Sequence, residues 1–366
     1  MKIERIILSG GGTGGHIFPA LAIANEIRNR YPAAEILFVG ALGRMEMEKI
    51  PAAGYKIIGL PIIGFPRGKG LKIITFFVKL FKSVSLAFKI VNEFKPQIAI
   101  GVGGYASGPL LWAAARKKIP TLIQEQNSYA GVTNKILSKK VNAICVAYDN
   151  MECFFPSSKI ILTGNPINES LVKNRQDKTE TLAYFELNET RKVVLITGGS
   201  LGARSINDAV LKNIDLIAKS DIQVIWQTGA LYYDRIIEEL QERKPVNLQI
   251  RQFISRMDLA YQVADVVISR AGAGTISELC LLGKPSILVP SPNVAEDHQT
   301  KNAQALVEKE AAMMICDNEI HEKLLFEAIQ LINDEMRCKR LSAQIKTLAK
   351  PNATKDIVNE IEKILY

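Results

Sequence analysis

Cysteine and histidine are scarce in this sequence, and neither is arranged as a disulfide framework or a metal site. Five cysteines are scattered over 366 residues without a CxxC pair, and only three histidines occur. An odd number of separated cysteines is typical of a protein from a reducing compartment. Because no His/Cys/carboxylate cluster has metal-ligand spacing, the sequence predicts no bound metal.

Long apolar segments are missing as well. The longest run without a charge, 96–115, contains several glycines and two prolines, which favours a strand, a loop and a helix in a core over a membrane span. The first residues lead directly into a strand pattern, Ile6–Leu8, so we expect no signal peptide.

Positive charge, by contrast, is in excess. The net charge of +9 and the pI near 9.2 indicate an anionic partner, which could be nucleic acid, a phosphate-bearing substrate or a membrane surface. The excess is not concentrated in a tail, so we expect no nucleic-acid-binding arm. A chain of 366 residues, 48% of them hydrophobic, is long enough for two domains.

Apolar strand patterns alternate with helical patterns, which is typical of parallel α/β architecture. A strand, a glycine-rich turn and a helix open the chain, and the same order restarts at 193–203. This repeat predicts two Rossmann-like domains with a boundary near 164–166. The predicted strands are Ile6–Leu8, Ile36–Val39, Ile98–Val102, Thr121–Ile123, Val193–Thr197, Val266–Ile268 and Ser286–Pro290.

The first glycine-rich turn, Gly10–Gly15, fits the pattern G-x-G-x-x-G, by itself a weak sign of dinucleotide binding. That binding mode needs an acidic residue at the end of the second strand, and Phe38–Gly43 contains none, which argues against NAD or FAD. The amides of such a turn can instead approach a phosphate or a sugar. His16, before a helix predicted over Pro19–Arg30, is either a capping or core residue or a general base.

A further glycine turn lies in the stretch 264–305, after the strand Val266–Ile268. Gly272 and Gly274 precede a predicted helix whose first turn includes Glu278. Such a helix start offers unpaired N–H groups to an anion. Glu278 then either caps its own helix or accepts hydrogen bonds from a pair of ribose hydroxyls. The polar loop 296–299 has more donors and acceptors than a connection needs.

A basic and aromatic helical pattern follows the basic loop 66–70. One interpretation is a core-packed helix with a solvated basic face. The other is an apolar and basic surface that lies in the headgroups of an anionic membrane leaflet. The residues predicted to contact the membrane are Lys72, Phe76, Phe77, Lys79, Leu80, Phe81 and Lys82.

Seven segments, in chain order, resemble the MurG family of glycosyltransferases, and the resemblance extends over essentially the whole chain. They are GGGTGGHIFPALAIA, GGYASGP, QEQNSYAGVTNK, GNP, GGSLGA, RAGAGTISEL and EDHQTKNA. The resemblance implies the glycosyltransferase B architecture, two Rossmann-like domains facing across a cleft. It places an acceptor and membrane domain at 1–164, with a C-terminal helix, 351–366, packed back on it, and a UDP-sugar domain at 165–350.

The activity implied by this resemblance is inverting transfer of N-acetylglucosamine from UDP-N-acetylglucosamine to the muramic acid 4-hydroxyl of lipid I, giving lipid II for peptidoglycan synthesis. No cofactor, metal or nucleic acid is implied. The implied location is peripheral, on the cytoplasmic face of the bacterial inner membrane, where an anionic membrane surface and a cell-wall synthesis complex are the expected partners.

The family's site residues carry over onto matching positions of this sequence. His16 matches the suspected base, Glu278 the residue that holds the ribose hydroxyls, and Ile254 the position whose backbone reads the uracil edge. The other donor-binding positions implied are Thr13, Gly14, Gly15, Asn127, Ser200, Ala273, Gly274, Thr275, Ile276, Ser277 and Gln299.

One position departs from the family pattern. The family usually has an arginine where this chain has Asn168, which keeps hydrogen-bonding capacity but loses a fixed cationic fork. Asn168 is still expected to contact the donor. The alternatives are a UDP-N-acetylglucosamine 2-epimerase or another glycolipid glycosyltransferase of the same architecture, and a non-catalytic nucleotide-sugar-binding subunit. An epimerase would need no acceptor, and a binding subunit would show no turnover.

Overall fold

Residues 3–66, 71–167, 171 and 176–366 are described by a computed structural model of the chain. The chain divides into two compact units, here called the first domain (Met1–Ile167 with Lys350–Tyr366) and the second domain (Asn168–Ala349). Each has one parallel β-sheet with helices. The predicted α/β class with two Rossmann-like domains is confirmed.

The first domain contains a seven-stranded sheet in the order β3-β2-β1-β4-β5-β6-β7. All of its strand pairs are parallel. The strands are β1 Arg5–Ser9, β2 Glu35–Ala41, β3 Lys56–Leu60, β4 Ile98–Gly101, β5 Thr121–Glu125, β6 Ala143–Val146 and β7 Ile160–Leu162. Its α-helices are α1 Gly14–Arg30, α2 Glu46–Ala52, α3 Leu71–Phe94, α4 Ser107–Arg116 and α5 Val132–Leu137, with short 3-10 helices at Met151–Cys153 and Ser157–Lys159.

Alternate residues of β1 enter two different cores, as the two-residue period of a strand requires. Ile6 and Leu8 pack with apolar residues of α1 and of the C-terminal helix, whereas Ile7 packs with residues of α3 and α4. The sheet is therefore covered on both faces, which explains why its strands are nearly continuous apolar runs.

The second domain contains a six-stranded parallel sheet in the order β10-β9-β8-β11-β12-β13. The strands are β8 Lys192–Thr197, β9 Ile222–Gln227, β10 Leu248–Arg251, β11 Val266–Arg270, β12 Ser286–Val289 and β13 Met313–Met314. The α-helices are α6 Lys178–Tyr184, α7 Arg204–Lys212, α8 Ile214–Lys219, α9 Tyr233–Leu240, α10 Met257–Val263, α11 Ala273–Leu282, α12 His298–Val307, α13 Ile320–Asn333 and α14 Glu335–Thr347, with 3-10 helices at Gln241–Arg243 and Ala295–Asp297.

The last helix, α15 Ala353–Leu365, returns to the first domain and packs on α1. The Arg30 guanidinium lies 3.0 Å from the Glu362 carboxylate, and the Tyr31 hydroxyl donates to the same carboxylate at 2.9 Å. Ile357 and Ile361 lie in the same core cluster as Ile6 and Leu8 of β1. The sheet face that α1 covers is thus completed by the end of the chain.

Both sheets reverse their strand order at one position, between β1 and β4 and between β8 and β11. In open parallel sheets, ligands bind beyond the carboxyl ends of the strands at such a switch point. The first two glycine-rich turns follow β1 and β8, and the third turn follows β11. Each sheet therefore carries glycine turns where its topology predicts a binding site.

Two predicted helix starts were wrong. Helix α1 begins at Gly14 rather than Pro19, because the Thr13 carbonyl accepts the His16 and Ile17 N–H groups and starts the helix inside the glycine run. Helix α11 begins at Ala273, so Glu278 lies in its second turn, not its first. The helix dipole acts mainly within the first turn, which excludes the capping role for Glu278.

Candidate functional site

Two loops of the first domain interlock at its switch point. One follows β1, and the other follows β4 at 102–106. A Cβ atom on Gly104 would lie 2.4 Å from the Gly11 carbonyl oxygen, and one on Gly103 would lie 2.6 Å from the His16 ring. Gly104 also has a φ of +88°, which side-chain-bearing residues rarely adopt. Glycine is therefore required here by the close approach of the two loops.

Glu46 is a buried carboxylate beneath the first glycine turn, and sequence reasoning missed it. Its side chain is 1% exposed and accepts the Gly12 N–H at 2.8 Å and the Ala41 N–H at 3.0 Å. Two amide hydrogen bonds to a buried carboxylate fix the turn to the end of β2. The residue begins α2 and lies beyond the strand end that a dinucleotide motif would use, so no local pattern identified it.

The first backbone N–H groups of α1 are the candidate anion-binding groups of the first domain. Thr13 is the extended N-cap residue, and Gly14 and Gly15 form the first turn of a 17-residue helix with no acidic residue in that turn. The free N–H groups and dipole of such a helix start favour a negative charge.

His16 lies in the same first turn of α1, beside the switch point of the first sheet. Its Nδ1 is 2.9 Å from the carboxamide oxygen of Gln126, a residue that follows β5 and is only 2% exposed. The structure therefore places His16 against a polar side chain rather than within the apolar core. This contact argues against an apolar-core position for His16.

Asn127 is held by a buried carboxylate two positions earlier in the sequence. Glu125 accepts the Asn127 backbone N–H at 3.1 Å and side-chain amide at 3.3 Å, the Gly131 N–H at 3.0 Å and the Asn134 amide at 2.8 Å. Asn127 itself is partly exposed. The Glu125 carboxylate therefore fixes the loop from which the Asn127 side chain can reach a ligand. Polar residues at the end of the otherwise apolar β5 were the available signal.

In the second domain, Ser200 lies exposed in the turn between β8 and α7. The buried Gln227 side chain fixes this turn, because its amide donates to the Thr197 hydroxyl at 3.1 Å and to the Gly199 carbonyl at 3.0 Å. The same carboxamide accepts the Ile254 N–H at 2.8 Å. Of the Ile254 backbone groups, the N–H is thus engaged within the protein.

The start of α11 brings together the predicted residues Ala273 to Ser277. Ala273 and Ile276 are buried, Thr275 is partly exposed, and the Ser277 hydroxyl donates to the Ala273 carbonyl at 2.9 Å. A Cβ atom on Gly274 would meet no other heavy atom within 4 Å. Protein packing therefore does not require glycine at 274, and the open space above this helical turn suits a ligand.

Glu278 lies one turn further along α11, against the buried Tyr261. The Tyr261 hydroxyl donates to the Glu278 carboxylate at 2.9 Å. Burial raises the pKa of Glu278 from its ordinary 4.5 to about 7, although the hydrogen bond from Tyr261 acts in the opposite direction. Burial, followed by the charge of Glu278, raises the pKa of Tyr261 well above 10. A carboxylate held in this way gains from additional hydrogen-bond donors supplied by a ligand.

Arg270 and Asp317 link several loops at the carboxyl edge of the second sheet, and sequence reasoning missed both. Arg270 contacts the Asp317 carboxylate at 2.6 Å, the Ser205 hydroxyl at 2.6 Å and the Pro290 carbonyl at 3.1 Å. Gln299 accepts the Ser291 N–H at 2.9 Å through its carboxamide oxygen, which leaves its NH₂ group as the donor end. Asn168, the departure from the family pattern, lies outside the described residues.

Helix α3 presents part of its predicted membrane face to solvent. Phe77 and Phe81 are 56% and 78% exposed, and Lys72 and Lys82 are exposed beside them. Phe76 and Lys79 are partly buried, and Phe76 packs edge-on against Phe65 and Phe77 with centroids 5.1 and 5.4 Å apart.

The remaining predicted contact on this helix, Leu80, packs against the first-domain core, so it belongs to the inner side of α3. Among the residues described, no helix is long and apolar enough to cross a membrane. Within the same ranges, no group of three or more His, Cys, Asp or Glu residues could hold a metal ion.

Comparison with known proteins assigns the chain to a family. The model of the glycosyltransferase family 28 N-terminal domain matches residues 6–146, and that of the C-terminal domain matches residues 193–361. The chain belongs to glycosyltransferase family 28. Both family 28 domains contain one of the switch points described above.

A family 28 relative from Parabacteroides distasonis is 56% identical to the chain over 365 residues, which is 100% of this chain and 99% of the relative. It is named UDP-N-acetylglucosamine–N-acetylmuramyl-(pentapeptide) pyrophosphoryl-undecaprenol N-acetylglucosamine transferase. Among solved structures, MurG of Acinetobacter baumannii has a TM-score of 0.78 and 28% identity, covering 98% of this chain and 99% of that one.

The UDP-N-acetylglucosamine 2-epimerase of Neisseria meningitidis, bound to UDP-N-acetylglucosamine, has a TM-score of 0.67 and covers 98% of this family 28 chain and 100% of its own. Its identity is 17%, so this likeness concerns the fold alone.

Proposed function

We propose that the protein transfers N-acetylglucosamine from UDP-N-acetylglucosamine to the 4-hydroxyl of the muramic acid of lipid I, giving lipid II. The observation that carries this proposal is 56% identity over the full chain to a protein named for that transfer. The two glycine-lined switch points support it, since each domain offers a helix start suited to an anionic diphosphate.

The second domain holds the donor in this proposal. Glu278 accepts hydrogen bonds from the two ribose hydroxyls, and the Ile254 carbonyl accepts from the uracil ring. The diphosphate lies against the turn at Ser200 and the α11 helix start, where Gly274 leaves space. Gln299 donates to the sugar or diphosphate through its amide group.

The first domain supplies the base. His16 takes the proton of the acceptor hydroxyl as the acceptor oxygen forms its bond to the anomeric carbon and the bond from that carbon to the UDP oxygen breaks. Attack on the face opposite the leaving UDP inverts the α linkage to β. The start of α1, with Thr13, Gly14 and Gly15, binds the acceptor pyrophosphate.

Neutralisation of the leaving UDP is assigned to the backbone amides and helix dipoles of the second domain. In that case, transfer continues in the presence of a chelator. Activity that EDTA abolishes and magnesium restores would assign this task to a metal ion instead.

The test of the function is transfer of labelled N-acetylglucosamine to lipid I in detergent. Wild type and His321→Ala, a matched histidine variant on α13, are expected to form lipid-linked disaccharide, whereas His16→Ala is expected to lose most activity. Product from His16→Ala at the wild-type rate would remove His16 from the base role. If none of the three forms product while UDP still binds, the epimerase and binding-subunit alternatives return, and formation of a UDP-sugar isomer decides between them.

We also infer that the exposed face of α3 docks the protein on the anionic cytoplasmic leaflet of the inner membrane. Phe77 and Phe81 supply apolar area, while Lys72 and Lys82 supply charge. Wild type is expected to cosediment with anionic vesicles more than with zwitterionic ones. Phe77→Asp/Phe81→Asp should lose this binding, whereas Phe326→Asp, at a phenylalanine of similar exposure (54%) in the second domain, should keep it. Equal binding by all three proteins would overturn the assignment.

A further inference from the structure

The orientation of the Gln126 carboxamide is fixed by its surroundings. Its nitrogen lies 2.8 Å from the Val102 carbonyl oxygen and 3.1 Å from the Gln124 carbonyl oxygen, and it also contacts the Gln124 side-chain oxygen. Carbonyl oxygens only accept hydrogen bonds, so the NH₂ group must face them. A flipped amide would place its oxygen against backbone oxygens. The Gln126 oxygen therefore faces His16.

This orientation determines which imidazole nitrogen carries the proton. The Gln126 oxygen can only accept, so Nδ1 of His16, 2.9 Å away, must be the donor. In the neutral ring the lone pair then lies on Nε2. We propose that Gln126 is a positioning residue that fixes His16 as the Nδ1–H tautomer and thereby makes Nε2 the basic nitrogen of the transfer reaction.

The Gln126 side chain is itself held by a buried chain of amides. The Gln124 amide donates to the Asn165 side-chain oxygen at 3.0 Å, and the Asn165 amide donates to the Gln126 carbonyl at 3.0 Å. All three side chains are buried. The His16 ring packs directly over Gly103, where a Cβ would lie 2.6 Å from the ring. The ring is thus held by a hydrogen bond on one atom and by packing on one face.

A neutral amide differs from a carboxylate as a partner for histidine. Both accept the Nδ1–H, but only a carboxylate adds a charge that stabilises the imidazolium. Gln126 therefore sets the tautomer without adding a charge that would favour a protonated His16. The tautomer part of the proposal stands on geometry alone, whereas the catalytic part rests on the proposed function.

Nuclear magnetic resonance of the full chain labelled with ¹⁵N-histidine tests the tautomer, because only three histidines need to be assigned. The His16→Ala variant identifies the His16 signals. At a pH above the His16 titration, wild type and Gln344→Leu, a control at an exposed glutamine of α14, should show the Nδ1–H pattern. Gln126→Leu should move toward the Nε2–H or an averaged pattern. An Nε2–H pattern in wild type, or an unchanged pattern in Gln126→Leu, would overturn the proposal.

The Gln126→Glu variant keeps the side-chain volume and remains informative if Gln126→Leu does not fold. It should raise the His16 pKa by about one unit or more in an NMR titration, because a carboxylate now accepts the Nδ1–H. No upward shift in a folded Gln126→Glu protein would contradict the contact.

The pH dependence of kcat/KM tests the catalytic half. We expect Gln126→Leu to lower kcat roughly 10- to 100-fold with little change in donor KM, since a general base contributes about 10²- to 10⁴-fold. In Gln126→Glu, the acid limb of the profile should follow the raised His16 pKa. Unchanged kcat in Gln126→Leu would refute the catalytic half. Wild type without any transfer activity would refute the proposed function and leave the NMR result standing.

Discussion

Buried polar side chains hold both switch-point edges of this molecule, including Gln227 and Arg270 in the second domain, but the carboxylates of the two edges differ in what they bind. At the first-domain edge, the Glu46 carboxylate accepts hydrogen bonds from two backbone amides, and the Glu125 carboxylate accepts them from its own loop. The Gln126 side-chain nitrogen contacts three carbonyl or carboxamide oxygens, and its oxygen contacts His16. At the second-domain edge, Gly274 faces open space and Glu278 is a partly covered carboxylate whose pKa is raised to about 7.

This difference indicates that the side chains of the two edges serve different purposes. Buried, mutually satisfied polar groups hold loops rigidly, which suits a base that must be positioned before the substrate binds. A raised carboxyl pKa and an open helix start indicate interactions that a ligand completes.

Removing Glu46 should destabilise the first edge without a direct effect on the donor. Glu46→Ala leaves two amides without their buried acceptor, and we expect the free energy of unfolding to fall by about 3 kcal/mol. Urea unfolding of the variant measures this loss. Glu48→Ala, at an exposed position of the same helix, is the control and should lose less than about 0.5 kcal/mol. Equal stability of both variants would show that the first edge is not held by this carboxylate.

Removing Glu278 should affect the donor instead. Glu278→Ala is expected to raise the donor KM roughly 10- to 100-fold, which corresponds to about 1.5–3 kcal/mol for charged hydrogen bonds. Steady-state kinetics with varied UDP-N-acetylglucosamine measures the change, with Tyr261→Phe as a milder comparison that keeps the carboxylate. An unchanged KM would assign Glu278 only to its contact with Tyr261.

Adding a methyl group at Gly274 should separate stability from binding. Gly274→Ala is expected to stabilise the protein by up to about 1 kcal/mol, because alanine is the better helix former and meets no neighbouring atom. The same methyl group should raise the donor KM by occupying ligand space. Gly108→Ala, also at the second residue of a helix, is the matched control and should leave the donor KM unchanged. A Gly274→Ala protein with normal donor KM would contradict the idea of an open ligand space.

Donor binding near neutral pH should release a fraction of a proton. The pKa of Glu278 in the ligand-free protein, about 7, lies above its ordinary 4.5. The unfolded chain therefore releases this proton first, and the protein loses stability as the pH rises from about 4.5 through about 7. Ribose hydroxyls favour the ionised form and lower this pKa in the complex. Calorimetry of UDP-N-acetylglucosamine binding in buffers of different ionisation enthalpy measures the release. Glu278→Gln should abolish it, and equal release by both proteins would assign the proton to another group.

The repeat pattern of the sequence was sufficient for the fold. Buried parallel strands are continuous apolar runs, and the glycine turns after β1, β8 and β11 stand out beside them. The α/β class could therefore be predicted, together with seven of the thirteen described strands: β1, β2, β4, β5, β8, β11 and β12. Helix starts were less predictable. Gly14, Gly15 and Gly274 looked like turn residues, yet they lie inside helices because backbone hydrogen bonds outweigh the modest cost of a helical glycine.

What the sequence by itself determined is therefore the architecture, the family, and the short local motifs that contain His16 and Glu278. Only the tertiary structure brought Gln126 to His16 across 110 positions of sequence, and Glu46 to Gly12 across 34. The carboxyl ends of neighbouring parallel strands meet at one edge whatever their distance along the chain, and no local pattern records which side chains meet there. Burial likewise raises the pKa of Glu278, and burial depends on the packed molecule rather than on neighbours in sequence.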